Sequence, residues 1–96
     1  MITYIAHMRV RRENSDAYKA LIDEMAANVQ AHEPGVVFYE SFISDSDPEA
    51  WVVIEVYRDE AAFKAHWETD YIRPSVERTK PLIEEGSLEI RRYVSP

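Results

Sequence analysis

Along the first ten residues the even positions are apolar, with Ile2, Tyr4, Ala6, Met8 and Val10, while the odd positions are mixed. A period of two is the pattern of a strand with one buried face, so this stretch predicts a first strand. After the polar stretch Arg11 to Ser15 the period changes. Tyr18, Leu21, Ile22, Met25 and Val29 recur at the spacing of an amphipathic helix, which Pro34 and Gly35 bring to an end near His32 and Glu33. Val36 to Ile43 and Ala50 to Arg58 are β-rich runs joined by Ser44-Asp45-Ser46-Asp47-Pro48-Glu49, a sequence with the chemistry of a hairpin turn. Asp59 reads as the N-cap of a helix on which Phe63, His66 and Trp67 share a face. Tyr71 to Glu85 reads as a second helical piece broken by Pro74 and Pro81, and Leu88 to Val94 as a closing strand.

The order β-α-β-β-α-(α)-β predicts a single α+β domain over residues 1–96. Its architecture is a four-stranded antiparallel sheet with helices on one face, the ferredoxin-like arrangement. Val36, Val37, Phe38 and Tyr39 run together, as do Trp51, Val52, Val53 and Ile54, so both faces of the central strands call for burial. One chain has helices for one face only. The other face is expected to meet the same face of a second copy in a two-fold homodimer.

Composition narrows the partners. Hydrophobic residues are 46% and charged residues 30%, with 2 Gly and 5 Pro, which is globular rather than disordered composition. The net charge of −7 and the pI near 4.9 repel phosphate backbones and anionic membrane surfaces, so neither nucleic acid nor membrane is an expected partner. Without cysteine there is no disulfide scaffold, thiolate nucleophile or cysteine metal site. The start of the chain lacks the pattern of a signal peptide, and no stretch approaches the roughly 20 apolar residues of a membrane span. A cytoplasmic location is the resulting expectation.

Glu55 stands in the middle of the apolar run Trp51 to Tyr57, and a carboxylate in a buried strand is costly unless it is paired, hydrogen-bonded or useful. His66 lies on the apolar stripe of the following helix, so its imidazole should point between helices and sheet, where it can exchange protons with a bound substrate. The two are the catalytic candidates, with Glu55 orienting His66 or holding a substrate hydroxyl. The structural alternatives are a core histidine satisfied by one hydrogen bond and an ion pair of Glu55 with Arg9 or Arg91. Trp51, Tyr57, Phe63, Trp67 and Tyr71 supply aromatic surface that either lines a substrate pocket for a flat ring or packs the core. His7 is opposite in parity to Tyr4, Ala6 and Met8 and is expected at an interface or polar patch, and His32 is expected as a solvated helix end. Histidines 7, 32 and 66 form no H-x-H or H-x-x-x-H pair, two glycines cannot make a dinucleotide or phosphate loop, and no G-x-S-x-G elbow is present. No metal and no conventional bound cofactor are expected.

Three segments, Glu33-Pro34-Gly35 with Tyr39, Ile54-Glu55-Val56-Tyr57, and Asp59 to His66, resemble the antibiotic biosynthesis monooxygenase family over essentially the whole chain. The resemblance implies small dimeric α+β barrels with a cavity between sheet and helices in each protomer. There a phenolic or quinol substrate is oxidised by O2 without flavin, haem or metal. His66 would be the base, Glu55 its orienting or substrate-binding partner, and Tyr57 and Trp67 lining residues. Tyr71 stands where many relatives have a second histidine, so a two-histidine proton relay is not expected. The asparagine, tryptophan and histidine pattern of haem-degrading relatives is missing as well. The superfamily also holds isomerases of small phosphorylated signalling molecules, for which Lys64 and Arg73 are the candidate phosphate partners, and non-catalytic dimeric ligand-binding or stress-response barrels.

Overall fold

Alternation along four strands and one amphipathic stripe on the long helix determine how the chain folds. The computed structural model describes residues 1–96. In chain order the elements are β1 (Ile2–Arg9), α1 (Ser15–His32), β2 (Val36–Ile43), β3 (Ala50–Tyr57), α2 (Glu60–Glu68), α3 (Ile72–Thr79) and β4 (Glu89–Val94), with short 3-10 turns at Arg12–Asn14 and Lys80–Leu82. The strands form one antiparallel sheet in the order β2-β3-β1-β4, the ferredoxin-like arrangement that the element order predicts. Ala6, Met8 and Val10, Tyr39, Trp51 and Val53 pack against Tyr18, Ile22, Met25 and Val29 of α1 and Ile72 of α3. No helix is long and apolar enough to cross a membrane.

The opposite face of the sheet carries Ile5, Val52, Ile54 and Val56, half-buried among their neighbours, and the exposed rings of Phe38 and Phe42. The register of β2 against β3 shifts between Val36 and Phe38, so Val37 is an extra residue and points outward at 57% exposure. That bulge lets Val36 and Tyr39 both serve the helix-covered side, although they are an odd number of residues apart.

At the start of α2 the Asp59 carboxylate accepts the Ala62 N–H at 2.9 Å, the N-cap that the sequence predicts. The predicted breaks at the prolines fall differently. Pro74 is the third residue of α3, inside the first turn, where the missing N–H costs no intrahelical bond, and it does not interrupt the helix. Pro81 lies in the 3-10 turn beyond it, and the helical segment divides instead at Thr69–Tyr71. The strand ends differ by a residue: β3 stops at Tyr57 and β4 begins at Glu89.

The α1–β2 turn and α2 approach each other unusually closely. A Cβ at Gly35 would lie 2.6 Å from the Ala62 Cβ, so only glycine fits. Arg58 holds the same turn, its N–H donating to the Gly35 carbonyl at 2.9 Å and its guanidinium to the Pro34 carbonyl at 3.0 Å. Gly35→Ala should therefore push α2 outward and lower the stability of the fold by about 1–3 kcal/mol, measured by urea denaturation. Unchanged stability would show that this contact does not constrain α2.

Candidate active site

Glu55 owes its inward position to the alternation of β3, which turns Trp51, Val53, Glu55 and Tyr57 toward the helices. Its register neighbours are Tyr4 on β1 and Tyr39 on β2, so the carboxylate lies in a row between two phenol rings. The fully buried Tyr57 donates its hydroxyl to Glu55 Oε1 at 2.5 Å. From the opposite side α2 contributes Phe63 and His66, one helical turn apart. Phe63 stacks on Tyr4 with ring centroids 4.5 Å apart and meets Tyr57 edge-on at 5.3 Å. The His66 ring is 2% exposed and packs against Tyr57, Tyr39 and Trp67 at 5.4, 5.7 and 5.9 Å.

Both ring nitrogens of His66 face carboxylates. Nδ1 lies 2.7 Å from Glu33 Oε1, and Nε2 lies 4.0 Å from Glu55 Oε1. Glu33 closes α1, its N–H bonded to the Val29 carbonyl at 2.9 Å, and the helix end thus presents its buried carboxylate to α2. Its second oxygen accepts the hydroxyl of Tyr71, the residue immediately before α3. A carboxylate is an acceptor only, so the hydrogen-bond network assigns the imidazole proton to Nδ1 and leaves the Nε2 lone pair facing Glu55.

Burial pushes the Glu55 carboxyl above the ordinary carboxylate range; the Tyr57 hydrogen bond and the positive charge available at His66 oppose this, and the negative charge of Glu33 adds to it. The hydroxyls of Tyr57, Tyr39 and Tyr71 are all pushed up, first by burial and then by the neighbouring carboxylates. All three therefore remain protonated donors at any ordinary pH. Glu55 is the acid most inclined to keep its proton.

Six of the predicted residues, His66, Glu55, Tyr57, Phe63, Trp67 and Tyr71, surround this one site. Trp51 does not join them. It faces the helices as Glu55 does, but four residues of strand separate the two, about 13 Å, and its ring packs edge-on against Tyr18 at 5.1 Å. The orienting partner of His66 is Glu33 rather than Glu55, because the hydrogen-bonded oxygen belongs to the end of α1. Glu55 has no arginine: Arg9 pairs with Asp47, Glu49 and Glu84, and Arg91 with Glu89. His7 is exposed on the open sheet face, and His32 is exposed at the end of α1 with its ring 6.1 Å from that of Tyr71. Glu33 is the residue that reading by elements passes over, since a glutamate before Pro-Gly looks like part of a helix stop.

The sequence pattern of antibiotic biosynthesis monooxygenases matches residues 1–78. The chain belongs to that family. Among solved structures, a "putative antibiotic biosynthesis monooxygenase" from Caulobacter crescentus CB15 is 25% identical, with a TM-score of 0.90 over 99% of this chain and 89% of its own. A conserved protein from Methanosarcina mazei Go1, 19% identical, shares the fold with a TM-score of 0.89 over 99% of this chain and 92% of that one. A further "putative antibiotic biosynthesis monooxygenase", from Deinococcus radiodurans, is 18% identical with a TM-score of 0.87, covering 100% of this chain and 93% of its own. No curated protein matches the sequence.

Within this family member the protonation of Glu55 has a stability signature. A carboxyl whose folded pKa is raised contributes most when protonated, below its unfolded value, and that contribution is lost as pH rises through the folded value. Glu55→Gln keeps an oxygen acceptor for Tyr57 and cannot ionise. In thermal melts it should match the parent in acid and exceed it increasingly above the ordinary carboxyl range of about pH 4–5. A gap independent of pH would contradict the assignment.

Proposed function

We propose that the protein is a monooxygenase that oxidises a quinol or polyphenolic small molecule with O2, without a bound cofactor. The observation that carries this reading is one imidazole held between two carboxylates and packed among aromatic rings, in a chain of this family. The 4.0 Å between His66 Nε2 and Glu55 Oε1 is too long for a direct hydrogen bond. A substrate hydroxyl set to one side of that line sits about 2.8 Å from both.

In the proposed reaction Nε2 of His66 takes the proton of that hydroxyl, and the Glu33 carboxylate stabilises the imidazolium through Nδ1–H. Protonated Glu55 donates a hydrogen bond to the phenolate oxygen. The electron-rich anion passes one electron to O2, and the phenoxyl radical and superoxide combine to form a C–O bond at a ring carbon. His66 returns its proton to the peroxide. Loss of the hydrogen on that carbon as a proton then breaks the O–O bond, so one phenol and one O2 give one quinone and one water. Tyr4, Tyr39, Phe63 and Trp67 pack around the pair, Phe63 stacked on Tyr4, and part to admit the flat ring before closing against water, while Tyr57 and Tyr71 position the two carboxylates.

Arg73 favours a second reading. Its guanidinium stands 5.7 Å from the centroid of the Trp67 ring, beside the site, and takes part in no salt bridge. A phosphate could rest there, as isomerisation of a small phosphorylated molecule would require.

Oxygen uptake by chelator-treated protein given hydroquinones and dihydroxynaphthalenes tests the first reading. Turnover should exceed the spontaneous rate, fall about 10²–10⁴-fold in His66→Ala, and fall less in Glu33→Gln. Uptake no faster than the spontaneous rate, or equal in His66→Ala, overturns it; proton exchange into phosphorylated ketoses in deuterated water then examines the second.

We further propose that two copies pack the open sheet faces together. Ile5, Val52, Ile54 and Val56 with the stacked Phe38 and Phe42 rings, 6.3 Å apart, form an apolar surface on one side of the sheet. Light scattering should give the mass of a dimer, and Ile54→Lys should give a folded monomer. A monomeric parent protein would refute the packing.

A further inference from the structure

Between α1 and the edge strand β2 lies a groove of about 640 Å³, walled by Ile22, Ala26 and Ala27 and floored by Tyr39, Ser41 and Trp51. None of His66, Glu55, Tyr57, Phe63 or Trp67 lines it. The two alanines are where α1 leaves room beside the edge strand. The volume falls in the range of small-molecule sites, about 300–1,000 Å³.

The floor carries two polar atoms that the fold leaves without a hydrogen-bond partner. Trp51 Nε1 and Ser41 Oγ are both buried without a partner. Two hydroxyls on this side of the core are already directed at sulfur, that of Tyr18 at Met8 Sδ at 3.0 Å and that of Tyr39 at Met25 Sδ at 2.7 Å. A thioether is a weak acceptor, so the two tyrosine hydroxyls are weakly satisfied and the Trp51 N–H and Ser41 hydroxyl not at all. Ser41 pairs in register with Val53, and Ile43 with Trp51, which makes Ser41 and Trp51 diagonal neighbours on the same face of the sheet. One small molecule spans such a diagonal of about 7–8 Å.

We propose that this groove is a binding site for a small, uncharged, mainly apolar molecule that presents a carbonyl oxygen to Trp51 and Ser41. The oxygen would satisfy donors that the fold leaves unpaired, and the alanine wall and rings would take the apolar body. Charge argues against an ionic ligand. Lys19 at the rim is already held by Asp23 at 2.6 Å, the rim residue Glu40 and the net charge of −7 repel anions, and the floor has no carboxylate for a cation. Ile43 at the rim is 46% exposed, leaving it free to shift as the ligand oxygen reaches the buried donors. The site does not depend on the oxidation chemistry and stands if that reading fails.

The test is a nitrogen-15 NMR titration of the whole protein with acetophenone, beside ethylbenzene, which has similar size and no oxygen. Two indole N–H signals are expected, and the one missing in Trp51→Phe is that of Trp51. Acetophenone should move this signal downfield to saturation and ethylbenzene should not. Ser41→Ala should weaken binding about two- to tenfold, the range for one hydrogen bond. Ala27→Phe, at an exposed position on the wall, should abolish binding while leaving the thermal melt intact. Four results would each overturn the site: no saturable shift, an equal response to ethylbenzene, a response that survives Ala27→Phe, or a long-lived water at the Trp51 N–H that the probe does not displace.

Discussion

The hydrogen bond of 2.7 Å between Glu33 and His66 is the interaction on which the rest of this structure depends. A carboxylate buried at the end of a helix is tolerable only if its oxygens are used, and both are used here, one by His66 and one by Tyr71. Those partners belong to different elements, so one side chain ties the end of α1 to α2 and to the start of α3. Removing either donor would leave an under-partnered charge in the interior, which is why the three helices are positioned together.

The two carboxylates that flank His66 sit in different surroundings. Glu33 receives two donors from groups held by separate helices. Glu55 has one donor, Tyr57, and sits in a strand walled by phenol rings, so burial favours its protonated form. Burial thus singles out Glu55 as the acid favoured in its protonated form beside the base. The asymmetry comes from secondary structure: a helix end offers its last side chain to several neighbours, whereas a central strand encloses its side chain between adjacent strands.

Much of this was legible in the sequence, and the reasons are local. The period of two around Glu55, the Asp59 cap and the apolar stripe through Phe63 and His66 each depend on neighbours within a few residues, and these elements formed as read. Trp51 and Glu55 share a face, but parity carries no distance, and the length of the strand put the tryptophan against Tyr18 instead. Pro74 looked like a break because proline in a helix interior is one; its place in the first turn of α3 made it harmless. Glu33 stayed hidden because its partner is 33 residues away and only the tertiary fold brings them together.

Gly35 also constrains how the sequence can vary. Its absent side chain and the single methyl of Ala62 share one small space. The two positions are therefore coupled through volume: a methyl gained at 35 has to be given up at 62 if α2 is to stay in place. His66 lies one helical turn beyond Ala62, so a larger side chain at either position would move the imidazole away from Glu33 without altering His66 or either carboxylate. The placement of His66 in this chain is thus set partly by a gap whose size neither acid nor base controls.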